Sequence, residues 1–432
     1  MDLNGTLRSF AEFIQNLDCS GQFDEGFFKD STVLMTCGDH TVILIGEDAD
    51  KYTEMVSSIY MAVSERRPVS KRAVSGILDD FFRRMLSSGD RTDNPSLAKQ
   101  VEDEMQGLKN ALFEQPKNWE VRLIVDGLAS SGLPMNVGQV QFQYLEEAAF
   151  SNLQNQVLDA VRNVGVKNSD DAASYLESSL KLLQGKTIGV LSVNAVDGEA
   201  AILAARHKLQ TTIDAINFFS SREALGGWAF LPGDTMPQRE FVLAVCEDGR
   251  VTPSFRQAGP IRRIPLDQIA RRNGFPRVSD MLGEEVPTDL EERILASIQW
   301  AGPAQVEARR EEAFLLYAIA LESLLLGRDV KTEISHRLAV RCAHLGGGPT
   351  MADKKRVVEQ ILSLYQVRSN IVHSGNFLVS DAEIGLIREY CVLTLLIVID
   401  TEPFRSMGKV KELEQWFQTQ LLSGGISPTA AG

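Results

Sequence analysis

The chain has 432 residues, a formal net charge of −14, 44% hydrophobic residues and 24% charged residues. That length fits two or three domains and that composition predicts a folded chain. The acidic balance disfavours a protein that coats nucleic acid through a broad basic surface, but it leaves room for a local cationic site.

Five cysteines, Cys19, Cys37, Cys246, Cys342 and Cys391, lie far apart with no C-x-x-C pair. They match neither a disulfide framework nor zinc-ligand spacing, and they read as reduced, mostly buried thiols. No metal site and no cofactor is expected. The first residues lack the basic and apolar regions of a signal peptide. The most apolar run, Cys391–Ile399, is shorter than the ~20 residues that span a bilayer. These features predict a soluble cytoplasmic protein without membrane contact.

Residues 1–285 mix strand and helix periodicities, which predicts an α+β region, either one domain or two near 1–150 and 151–285. Thr32–Cys37 and Thr41–Ile45 are β-branched runs flanking Gly38-Asp39-His40, a hairpin pattern. Helical spacing covers Lys51–Ala62, Lys71–Ser87 and Asn94–Pro116, and strands are expected at Glu120–Val125 and Val137–Phe142. Further helices are expected at Phe150–Val161, Asp170–Leu183 and Glu199–Phe218, with strands at Thr187–Val193, Trp228–Leu231 and Glu240–Cys246. Loops are expected among the Gly and Pro residues between Gly226 and Pro260.

From residue 286 the strand signal disappears, so an all-α bundle is expected over 286–421. Its helices read as Leu290–Trp300, Glu307–Leu326 ending at Gly327, Thr332–Leu345, Met351–His373 ending at Ser374-Gly375, a helix from Ser380 to Thr401, and Val410–Leu421. Ser380 and Glu383 form a capping-box pattern at the fifth. Residues 422–432 read as a disordered tail.

Arg368 and His373 sit near the end of the fourth helix, with four residues between them. Two readings stand. In the structural one, a terminal His is favoured by the helix dipole by ~0.3–1 kcal/mol and the Arg is a surface or ion-pairing group. In the functional one, imidazole titrates near neutral pH and guanidinium offers phosphate a forked, permanently charged donor set. On an ideal helix, side chains five positions apart point roughly 140° apart. The pair therefore converges only if the helix loosens near Val372 or if a second chain completes the site. Ser369 shares the His373 face.

Leu364-Tyr-Gln-Val-Arg-Ser-Asn-Ile-Val-His-Ser-Gly375 resembles the R-x4–6-H motif of HEPN domains, and more narrowly the Apea-like HEPN family. Phe314–Leu324, with its Leu-Glu-x-Leu element, resembles that family's first core helix, and Glu333–Ala343 its second, in the same order. The resemblance covers the C-terminal bundle and leaves residues 1–285 unassigned. It implies a helical bundle that forms a homodimer and brings two motifs into one cleft. It also implies a metal-independent endoribonuclease acting on RNA, in bacterial anti-phage defence or a toxin-like role. His373 would be the general acid/base and Arg368 the phosphate-stabilising cation. Ser369 matches the Apea-like subgroup, whereas the wider superfamily often has Asn, Asp or His there. Asn370 supplies an amide one position later.

Glu322 and Tyr365 are supporting candidates, against ion-pairing and core packing respectively. Arg337 and Arg341, with His336 on the same helix, and Lys354 and Lys355, beside Arg356, are candidate RNA contacts, against solvated basic faces. Gly346–Pro349 lacks the Lys-Ser/Thr of a P-loop, and His40 and His207 read as structural. Residues 1–285 are where a phage or nucleic-acid trigger would act. The alternative is a non-catalytic HEPN module for dimerisation or for binding a nucleotide or partner.

Overall fold

The computed structural model describes residues 3–16, 32–37, 40–87, 95–113, 115–129, 133–163, 174, 177–178, 180–220, 228–231, 240–245, 251–256, 263–326, 333–374 and 378–422. Expectations for Cys19, Cys246, Gly38-Asp39, Gly327, Gly375, the tail and most of Asp170–Leu183 lie outside these residues. The chain forms two compact units, Met1–Val121 with Ser192–Arg206, and Arg122–Leu191 with His207–Gly432.

In the first unit, helix α1 (Leu3–Asn16) precedes an antiparallel hairpin of β1 (Thr32–Cys37) and β2 (His40–Ile45), with Thr32 opposite Ile45. Helices α2 (Glu47–Ser64), α3 (Lys71–Ser87) and α4 (Pro95–Leu112) follow. The expected helix over Asn94–Pro116 closes at Leu112, and Lys117 already begins the next strand, because the residue before Pro116 is biased out of the helical region. An aromatic cluster forms the core: Phe10 lies 5.8 Å from Tyr52, and Tyr52 packs edge-on to Phe82 at 5.7 Å. The Tyr52 hydroxyl donates to Asp79. Burial, then that hydrogen bond, push the phenol well above its ordinary range.

Gly76 is an exposed residue inside α3 whose added Cβ would meet nothing within 4 Å. Gly76→Ala should therefore stabilise this unit by about 0.5–1 kcal/mol, through backbone entropy alone, as an upward shift of its denaturant midpoint.

Asp197 ties two helix starts together. Its Oδ2 accepts from the Ser70 amide at 3.0 Å and its Oδ1 from the Ala200 amide at 2.9 Å, while Ser70 Oγ accepts from the Ala73 amide at 3.0 Å. Partial burial alone would raise the Asp197 pKa, but backbone donors at Ser70, Ala200 and Glu199 outweigh it and hold the carboxyl below its ordinary 3.8. A depressed folded-state pKa means that the stabilisation is fully present above the unfolded value and is lost as pH falls through the folded value. Acidification below the ordinary carboxylate range of about 4 should therefore lower the hydrogen-exchange protection factors of the Ser70 and Ala200 amides, and Asp197→Asn should remove that pH dependence.

A four-stranded sheet has the order β3–β7–β6–β5, from β3 (Lys117–Ile124), β5 (Met135–Val137), β6 (Val140–Tyr144) and β7 (Thr187–Ala195). The single strand expected over Val137–Phe142 is instead the β5–β6 hairpin, which turns at Gly138 with φ +57°. This is a left-handed position that favours glycine. A short β4 (Leu128–Ala129) pairs in parallel with β10 (Ile264–Pro265). The ribbon of β8 (Glu240–Val245) and β9 (Val251–Arg256) contains Pro253, whose apparent strand-breaking character hid β9 from the sequence. Trp228–Leu231 is not a strand. It makes one bridge, Phe230 to Asp126, and Asn217 clamps it by pairing both ends of its side-chain amide with the Ala229 backbone at 2.8 and 2.9 Å.

Helices α5 (Glu147–Asn163) and α6 (Gly198–Ser220) precede α7 (Leu266–Ala270) and α8 (Phe275–Gly283). The C-terminal helices are α9 (Asp289–Ala304), α10 (Arg310–Leu325), α11 (Ile334–Gly346), α12 (Met351–Ser374), α13 (Asp381–Asp400) and α14 (Val410–Leu422). The layout is thus α+β followed by all-α. Capping boxes start α9 at Thr288/Glu291 and α13 at Ser380/Glu383, the second as the sequence indicates.

The division of units falls elsewhere than the expected boundary near 285, because the later part of α6 packs on the C-terminal helices. A Cβ on Gly302 would lie 2.4 Å from the Asp214 carbonyl oxygen, Gln299 donates to Thr211 at 2.9 Å, and Phe219 meets Phe275 edge-on at 5.2 Å. Arg277 reaches across to the Ile399 carbonyl at 2.5 Å and satisfies an orphan acceptor at the end of α13.

Candidate functional site

Helix α12 buries Val357, Ile361, Leu364, Val367 and Ile371, a three-and-four spacing that forms one apolar stripe. That stripe fixes the rotation of the helix and sets Tyr365 and Arg368 half-buried beside it, with His373 exposed in the final turn. Helix α10 brings Glu322, one turn from its end, to the same place.

The Tyr365 hydroxyl donates to Glu322 Oε1 at 2.6 Å, and Arg368 Nε approaches the same oxygen at 3.4 Å. The second contact is an ion pair only: Nε is buried and makes no hydrogen bond. The Arg368 side chain is 29% exposed, and its Cζ lies 5.7 Å from the Tyr365 ring centroid, within cation–π range. Burial first, then the hydrogen bond and charge of Glu322, push the Tyr365 phenol well up, so it is a protonated donor at neutral pH.

The structure thus joins Arg368, Glu322 and Tyr365 and leaves His373 apart. No hydrogen bond or ion pair links His373 to Arg368 among the described residues. Of the two routes to convergence, a loosened helix near Val372 is not what the structure has, because α12 stays helical through Ser374. Its backbone ladder keeps the two side chains on divergent faces. Ser369 is half-buried, and Asn370 accepts from Gln366 at 2.9 Å.

The outlying basic candidates separate. Arg341 is taken up by structure: it forks onto Glu414 with both terminal nitrogens, donates to the Leu325 carbonyl, and lies over the Phe417 ring at 4.9 Å. Its guanidinium matches the geometry of a carboxylate on α14, and the helix spacing that suggested an RNA contact did not register that partner. Arg337 and Lys355 are exposed, Lys354 is half-buried, and Arg356 pairs with Asp353 at 3.2 Å. Among the described residues, no hydrogen bond or ion pair joins these groups to Arg368. Cys342 and Cys391 are buried free thiols, and burial pushes the Cys342 thiol up to about 12.

The sequence offered Glu322 and Tyr365 only as separate candidates. The spacing of Tyr365 and Arg368 at i and i+3 was a readable signal for their contact, whereas the shared Glu322 oxygen depends on how α10 packs on α12. No cluster of three or more potential metal ligands occurs among the described residues, and no described helix is long and apolar enough to cross a membrane. No protein-family model matches the chain, and neither a curated protein nor a solved structure matches it.

Proposed function

We propose that the chain is a metal-independent endoribonuclease of the HEPN type, serving bacterial anti-phage defence or a toxin-like role, with residues 1–285 receiving the trigger. The observation that carries this reading is an exposed imidazole and a half-buried, carboxylate-paired guanidinium near the end of one continuous helix. His373 takes the proton of a ribose 2′-OH as O2′ attacks the adjacent phosphorus and the P–O5′ bond breaks. A protonated imidazole returns a proton to the departing O5′, leaving a 2′,3′-cyclic phosphate and a 5′-hydroxyl. Arg368 stabilises the added negative charge on the phosphorane.

Because α12 is unbroken, the site this mechanism needs is composite, with His373 of one copy facing Arg368 of another in a homodimer. The test is incubation of the purified chain with total RNA in EDTA, beside Arg368→Ala and His373→Ala. Equal cleavage by all three would sink the reading.

The pairing of Arg368 with Glu322 favours a second reading, in which the bundle is a non-catalytic dimerisation or ligand-binding module and this ion pair is structural. A dimeric wild-type chain that leaves RNA intact, with or without Mg²⁺, is its expected result.

A further inference from the structure

Two arginines of the C-terminal bundle meet carboxylates in different ways. Arg341 gives both of its terminal nitrogens to Glu414, and its side chain is 13% exposed. A guanidinium held through its fork has no forked face left for a ligand. Arg368 instead comes nearest to Glu322 through Nε, without a hydrogen bond, and its Cζ lies 5.7 Å from the Tyr365 ring centroid. Among the described residues, no hydrogen bond occupies its two Nη groups. Nε is buried while the side chain is 29% exposed, so the exposure belongs to the rest of the group.

We propose that Tyr365 and Glu322 are positioning residues that hold Arg368 by its Nε edge and present its two Nη groups to a single phosphate. The relay runs in one direction. Tyr365 O–H donates to Glu322 Oε1 at 2.6 Å and restricts rotation of the carboxylate, whose same oxygen pairs with Nε. Tyr365 and Arg368 are one turn apart on α12, whereas Glu322 comes from α10, so two packed helices aim the guanidinium. A long side chain prearranged in this way needs less reordering when a phosphate binds. The proposal rests on the reading of Arg368 as the phosphate-binding group.

The test has two arms, both on the full chain. In the first, the Nε–H proton of Arg368 is followed by NMR in arginine-labelled protein and assigned by its loss in Arg368→Lys. It should exchange slowly with water, about tenfold faster in Tyr365→Phe, and faster still in Glu322→Gln. Both variants keep the shape of the side chain, and Tyr365→Phe removes only a hydroxyl.

In the second arm, RNA cleavage in EDTA should lose about 10–100-fold in kcat for Glu322→Gln, the scale of a misplaced group. KM should change much less, and Arg368→Ala should show no further loss when Glu322→Gln is added. Unchanged exchange in both variants would overturn the proposal. So would altered exchange with wild-type kcat, or a loss that tracks only with melting temperature. If the wild type cleaves no RNA, the nuclease reading fails, and the exchange arm still decides whether the relay holds the guanidinium.

Discussion

Replacing His373 with alanine should reduce RNA cleavage in chelator by about 10²–10⁴-fold, the range of a positioned general acid/base. Folding should be unaffected, because the side chain is exposed in the last turn of α12 and makes no hydrogen bond or ion pair among the described residues. Arg368→Ala should match that loss in activity but should also destabilise the chain measurably, because it leaves Glu322 without its cation and Tyr365 without a cation on its ring. A composite site adds a sharper expectation. A mixture of His373→Ala and Arg368→Ala chains should recover part of the activity that neither has alone, because a mixed dimer retains one intact pairing. Absence of recovery in proven mixed dimers would count against a site shared between copies.

Gly127→Ala should destabilise the second unit by about 4 kcal/mol, combining left-handed strain with overpacking. Gly127 has φ +82°, and a Cβ there would lie 1.8 Å from the Trp228 carbonyl oxygen. Relief would require that carbonyl to move, and the segment is held from both sides. Phe230 exchanges backbone hydrogen bonds with Asp126 at 3.0 and 3.1 Å, and Asn217 clamps Ala229. The carbonyl of Gly127 itself accepts from Ile264 at 2.7 Å. Urea unfolding followed by tryptophan fluorescence should show the midpoint fall with little change in slope. An unchanged midpoint would mean that the clamp yields, and Asn217→Ala would then be nearly silent too.

The C-terminal helices were legible because each carries its own punctuation. Ser380 and Glu383 mark one start, Pro403 follows one end, and the apolar spacing through Val357, Ile361, Leu364 and Val367 names the buried face of α12. The β5–β6 hairpin was missed because Gly138 reads equally as a strand glycine and as a turn, and only its φ decides. The unit boundary was illegible for a different reason. Nothing local in α6 says that Asp214 and Phe219 will meet Gly302 and Phe275, since such contacts join residues far apart in sequence. At the candidate site, Arg368 and His373 could be picked out as residue types at a spacing. Their divergence was legible too, from five positions on one helix, whereas the shared Glu322 oxygen was not, because a carboxylate on α10 reaches Tyr365 and Arg368 only after two helices have packed.

The first unit is built from two stretches of chain, Met1–Val121 and Ser192–Arg206. On the ribosome its first stretch therefore waits, with the partner groups of Asp197 unmet, until the second has emerged. The Ser70 amide and the start of α3 are completed only then. The same arrangement governs fragments. A chain cut after Val121 lacks the residue that ties Ser70, and a C-terminal piece begun at residue 286 leaves Gly302 and Gln299 without the helix they pack on. Work on the bundle alone would thus expose a surface that the intact chain covers, and self-association there would be easily mistaken for the proposed dimer.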